Sequence, residues 1–205
     1  MSNIDNFFGG SNLTLGPADL IWDAPVFTGD TGLDLYLGGT QGLSIQKAIQ
    51  KADLTKDQYG TSPANKVATG QDLMVTATLV ELQLDRLEAV FPGFQHYTNT
   101  AGATIGFGWE SVLGQKDSDI ERVLKINLLN PNGTRSTDPD KIIYIANAAP
   151  NVDTEIAFDP ETQRAISIEF TGYRRPRFVS SVTGAELYYF SQSMVDNGIV
   201  VPGTT

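Results

Sequence analysis

Between residues 72 and 91 the hydrophobic period changes without a break. Leu73, Val75, Ala77 and Leu79 recur at every second residue, with Asp72, Thr76 and Thr78 making most of the other side and Met74 the exception. Val80, Leu84, Leu87 and Phe91 then recur at helical spacing, with Glu81, Asp85 and Glu88 opposite them. Pro92-Gly93 stops that helix, since proline withholds a donor and glycine accepts the terminal geometry. The passage requires a strand that runs directly into a helix over residues 81–91, both burying an apolar side. An all-helical bundle is therefore excluded. With 40% hydrophobic and 19% charged residues, a wholly disordered chain is excluded too. Twenty glycines and ten prolines add frequent turns, which favours a β-rich chain.

The remaining segments fit that frame. Residues 33–37 alternate as a strand closed by Gly38-Gly39, and residues 43–49 alternate again, with Lys47 interrupting the apolar side. Residues 52–66 are polar and without periodicity, the kind of long connection that is functional or disordered. Residues 121–129 form a strand ended by Asn130-Pro131-Asn132-Gly133, and residues 141–146 return. Residues 156–158 lead into a turn at Asp159-Pro160-Glu161-Thr162. Residues 165–171 then alternate cleanly, with Ile166, Ile168 and Phe170 against Ser167, Glu169 and Thr171, the habit of an antiparallel strand with one wet face. Residues 1–34 read as an irregular arm whose aromatics, among them Phe7, Phe8 and Trp22, dock on the chain's own fold or on a neighbour. Residues 178–205 read as an extension with a strand near 187–190. The expected fold is mainly β with one short α-helix: an antiparallel β-sandwich or barrel core over residues 35–177 with long hairpins.

Reactive chemistry is hard to place. The chain has no cysteine, which excludes disulfides, thiol nucleophiles and cysteine-bound metals. Its single histidine, His96, falls in an apparent loop after the helix and lacks a partner for nucleophilic catalysis. Gly106-Phe107-Gly108 lacks the third glycine of a dinucleotide fingerprint. The carboxylate pairs Asp53/Asp57, Asp117/Asp119 and Asp138/Asp140 lack the calcium-loop pattern. Arg174, Arg175 and Arg177 form the one basic cluster, suited to ion pairs with the plentiful carboxylates, within or between subunits. No cofactor or metal is expected, and no enzymatic activity. Residues 1–5 carry no export-type basic or apolar run, and apolar stretches are too short to span a bilayer, so cytoplasmic synthesis without a membrane partner is expected. A formal charge of −10 would repel a nucleic acid rather than grip it. Polar excursions and exposed hairpin edges are a liability in a monomer and useful in an assembly.

Residues 43–91 resemble the major tail tube proteins of long-tailed bacteriophages, whose fold is shared with type VI secretion tubes. The likeness is carried by the stretch from Lys66 to Phe91, in which Thr69-Gly70 enters an alternating strand, Glu81 follows it and a leucine-rich helix comes next. The long strand–loop–strand ahead of it and the late strand at 165–171 fit the same order.

That resemblance implies hexameric rings stacking into a tube, with long hairpins closing an inner β-barrel around a channel for DNA ejection. Carried onto this chain, residues 43–58 and 66–80 are one barrel hairpin, and 121–130 with 141–147 supply the other two strands. Ser44, Gln46, Gln50, Asp72, Thr76 and Thr78 would line the lumen, free of lysine and arginine. Residues 52–66, including Asp53, Lys56, Asp57, Tyr59 and Asn65, would be the ring-to-ring loop. Partners would be further copies of the chain and the tape measure, tail terminator and distal tail proteins, with DNA passing unbound; the location would be the virion tail, after the host cytoplasm. The competing reading is a carbohydrate-binding or decoration β-sandwich module using Trp22, Trp109, Tyr188 and Tyr189. A hydrolase acting through a carboxylate pair is a third.

Overall fold

The computed structural model describes residues 12–15, 17–55, 63–79, 84–151, 166–173 and 177–203. The strands are β1 (Asn12–Leu15), β2 (Ala18–Trp22), β3 (Leu35–Thr55), β4 (Pro63–Leu79), β5 (Phe94–Thr98), β6 (Thr104–Trp109), β7 (Arg122–Leu128), β8 (Ile142–Pro150), β9 (Ile166–Gly172), β10 (Phe178–Ser180), β11 (Tyr189–Ser191) and β12 (Val200–Pro202). The helices are α1 (Leu84–Val90), α2 (Asp117–Ile120) and α3 (Gln192–Asp196). The protein is mainly β, built on one large antiparallel sheet.

The alternation of residues 73–79 produces the expected burial. Leu73, Val75 and Ala77 are fully buried and Leu79 nearly so, while Asp72 and Met74 are exposed. β4 pairs with β3 along one side and with β9 along the other. The sheet runs β1-β3-β2-β7-β8-β9-β4, and the β3–β4 pairing brings the path back to β3. The main core lies on the side faced by Leu20, Leu43, Val75, Leu124, Ile145 and Phe170. Val90, Phe91 and Phe94, at the end of α1 and the start of β5, join it. A second cluster forms on the opposite side of β2, β7 and β8, where Ile21, Val123, Tyr144 and Ala146 meet Phe178, Phe190 and Val200.

Several expectations change here. Residues 18–22 are a strand between β3 and β7, every residue buried, and not part of an irregular arm. Trp22 docks inside its own fold, its ring 5.4 Å from that of Phe170; Phe7 and Phe8 lie outside the described residues. The strands read at 33–37 and 43–49 are one strand, β3. Gly38-Gly39 does not end the first: Gly38 (φ 128°), and Gly42 (φ 76°) further along, take left-handed backbone that side-chain-bearing residues avoid, and the register slips beside them. α1 spans Leu84–Val90 among the described residues, so Phe91 lies just past it. His96 is not in a loop but in β5, paired with Phe107 of β6 in a separate hairpin. Residues 178–203 pack on the main sheet, β11 pairing with β8. Residues 156–158 and the turn at 159–162 lie outside the described residues.

Candidate assembly surface

The β3–β4 ribbon is the longest pairing in the molecule, and its outward side is set by register. Gln41 stands opposite Thr78, Ser44 opposite Thr76, Gln46 opposite Met74, Ala48 opposite Asp72 and Gln50 opposite Gly70. The six residues expected to line a lumen therefore share one side of the ribbon. Gln50 Nε2 donates to Asp72 Oδ2 at 2.8 Å. Gly70 makes room for this: a Cβ there would sit 3.1 Å from Gln50 Oε1.

The same side continues across β9, where Ser167, Glu169 and Thr171 stand opposite Thr78, Thr76 and Met74. Glu169 accepts a hydrogen bond from Asn151 Nδ2 at 2.9 Å. On the other side β1 brings Asn12 and Thr14 opposite Gln46 and Ser44. Across these four strands the outward positions include Asp72 and Glu169 and no lysine or arginine among the described residues. Glu169 was legible as a wet-face residue; its place beside Thr76 was not, because pairing with β4 is long-range.

Residues 121–130 and 141–147 do not extend this surface. They contain β7 and β8, which pair with each other in the middle of the sheet order. The side of β7 and β8 away from the main core is covered by the C-terminal extension through Phe178, Phe190 and Val200. Tyr144 stacks on Phe190 with ring centroids 5.5 Å apart. Of the strands that flank the ribbon, β9 has an open side, with Ser167 exposed and Glu169 and Thr171 half-exposed, and β1 pairs along β3 at residues 43–46.

Beyond the sheet, among the described residues, 47–55 and 63–72 pair only with each other. Nine residues of strand reach about 30 Å. Ile49 and Val67 are roughly half exposed on it (49% and 45%). Half of the polar segment 52–66 is thus strand and not loop: Asp53 and Asn65 belong to β3 and β4. Asp53 pairs with Lys66 across the ribbon at 3.4 Å. Lys56, Asp57 and Tyr59 lie outside the described residues.

The other candidate residues fall elsewhere. Trp22 is 2% exposed and cannot meet a glycan; Trp109 is 47% exposed, with its ring edge against Phe91 and Phe94. Tyr188 and Tyr189 are half-buried against the main core. Asp117 and Asp119 sit on α2, where Tyr173 donates its hydroxyl proton to Asp117. Asp138 accepts from the Asp140 backbone N–H at 3.1 Å, capping a short 3-10 turn. The Arg177 guanidinium lies 5.5 Å from the Phe178 ring centre, and Arg174 and Arg175 are outside the described residues. An open cleft of about 500 Å³ lies between the ribbon (Ile49, Gly70, Gln71) and the extension (Ala185, Glu186, Tyr188). Among the described residues no three metal-binding side chains converge, and no helix is long and apolar enough to cross a membrane.

Together these features define a mainly β protein whose open sheet side is largely polar, carries no basic group among the described residues and continues into a long ribbon. No family model matches the sequence, and no curated protein matches it.

Proposed function

We propose that this chain is a structural, non-enzymatic subunit of a long-tailed bacteriophage tail tube, polymerising as stacked hexameric rings around a conduit for double-stranded DNA. The observation that carries the reading is the open side of β9, β4 and β3, contiguous and, among the described residues, free of lysine and arginine. DNA moving through a tube is arrested by salt-sensitive phosphate contacts, so a lumen works best without cations. In this reading that side of each copy, with β1 paired beside β3, lines the channel.

The projecting ribbon supplies the second half of the argument. The edges of 47–55 and 63–72, which pair only with each other among the described residues, invite strand addition, and closure around a ring removes edges that would otherwise aggregate. Head-to-tail contacts close each ring while stacking stays open-ended. The segment 52–66, with Asp53, Lys56, Asp57, Tyr59 and Asn65, meets the next ring, and Arg174, Arg175 and Arg177 pair with carboxylates between copies. The pairing path that returns from β4 to β3 supports a barrel-like core in each subunit. Tape measure, terminator and distal tail proteins would contact the tube within the virion tail, after synthesis in the host cytoplasm. Negative-stain microscopy of the purified chain tests the reading: rings or tubes are expected, and monodisperse monomers at high concentration under every condition would sink it.

A further inference from the structure

Tyr36, at the start of β3, has two guanidinium groups against its ring. The central carbon of Arg135 lies 4.6 Å from the ring centre and that of Arg86 5.1 Å. The two cations are not equivalent. Arg135 Nε donates to Asp19 Oδ2 in an ion pair, and the Tyr36 hydroxyl donates to Asp19 Oδ1 at 3.1 Å. Asp19 is 5% exposed, and its one charge is matched by Arg135. Arg86, on α1, has no carboxylate partner among the described residues, and its buried Nη1 makes no hydrogen bond there.

A guanidinium stacked on an aromatic ring uses its flat face and leaves the edge of its fork for a planar acceptor. An N–H removed from water without an acceptor is unfavourable, and a bidentate carboxylate satisfies it best. The cluster thus holds one cation in excess, in a chain with 24 acidic and 14 basic residues. We propose that Arg86, held against Tyr36, receives a carboxylate side chain from a second copy of this chain. The donor is argued from charge: when copies of so acidic a chain meet, carboxylates are in surplus and a half-buried unpaired guanidinium is the scarce complement. Tyr36 lies eleven residues, about 35 Å, along β3 from the start of the projecting ribbon, so this contact is separate from ribbon pairing. It rests on the self-assembly reading.

Two measurements test it. In arginine side-chain NMR, sodium acetate titrated against sodium chloride at matched ionic strength should shift the Arg86 Nε–H signal saturably. That signal should vanish in Arg86→Gln while circular dichroism and thermal midpoint stay as in the parent. In sedimentation, Arg86→Gln should raise the concentration needed for self-association at least tenfold, with Arg86→Lys between the two. No saturable acetate shift at Arg86, or a shift with phosphate and a DNA duplex but not acetate, would overturn the carboxylate site. Parent tubes that Arg86→Gln forms equally well would overturn this contact alone. A parent chain that stays monomeric while Arg86 takes up acetate would overturn the second copy as donor, together with the tube reading.

Discussion

Gly172 sets how closely β9 lies on β4. A Cβ at this position would fall 2.8 Å from Leu73 Cδ2 and 3.0 Å from Leu73 Cβ, and Leu73 is fully buried with nowhere to move. Gly172→Ala should therefore destabilise the fold by about 1–3 kcal/mol, read as a lower urea midpoint at unchanged slope. Tyr144 makes a prediction about alkali. Burial first, then the charges of Asp196 and Asp34, push its hydroxyl up from 10.0 to about 12. The unfolded chain then loses this proton before the folded one does. Stability is full below the ordinary tyrosine value and falls as pH rises from 10.0 to about 12, by up to roughly 2–3 kcal/mol for this group. The Tyr144 hydroxyl donates to Gln192 on α3, so Tyr144→Phe loses that bond at every pH and also loses this group's share of the alkaline slope, while the raised Tyr173 keeps its own. Urea melts at about pH 9 and about pH 11.5 measure it. Equal slopes in the two proteins would reject the account.

At the scale of elements, legibility followed locality. β4 and β9 alternate because each has one side in the core and one outside, and their partners do not alter that pattern. β2 carries no such signal. Ala18, Leu20 and Trp22 face the main core, Ile21 faces the second cluster, and Asp19 is buried because Arg135 neutralises it from across the sequence. A strand buried on both sides does not alternate, and the partner of Asp19 cannot be guessed from its neighbours. The β5–β6 hairpin was hidden by Gly106 and Gly108, which break its apolar pattern. Six candidate lumen residues were legible as one side of a hairpin. The flanking strands were not, since the covering of β7 and β8 by the C-terminal extension is a tertiary fact. The ribbon gives the element-scale prediction. β9 holds residues 73–79 and β1 holds residues 43–46, so the sheet is anchored without the ribbon tip. Deleting residues 54–64 should leave a folded protein with a near-parental melting temperature that, if the chain assembles as proposed, no longer polymerises. Normal tubes from the deletion variant would remove the ring-to-ring role from this segment.

For the whole molecule, the net charge of −10 matters less than its placement. Several described cations sit away from the open side: Arg135 is paired with Asp19, Lys141 with Asp138, and Lys125 lies 5.6 Å from the Tyr144 ring centre. The open side carries Asp72 and Glu169 alone as charges among its described positions. Asp72 is exposed and Thr76 half-exposed, so Asp72→Lys with Thr76→Lys should fold and assemble as the parent does. Each copy would then turn the surface from acidic to basic, and every ring of the tube would repeat the change. If this side is the lumen, phosphate contacts along the whole channel should slow DNA ejection, most at low salt and less as counterions screen them. One of the two new cations would stand opposite Glu169 and be partly neutralised, so Asp72→Lys alone should retain most of the effect. Ejection kinetics that match the parent at low salt would place these strands outside the channel, because a charge reversal repeated in every ring cannot leave a passing polyanion untouched.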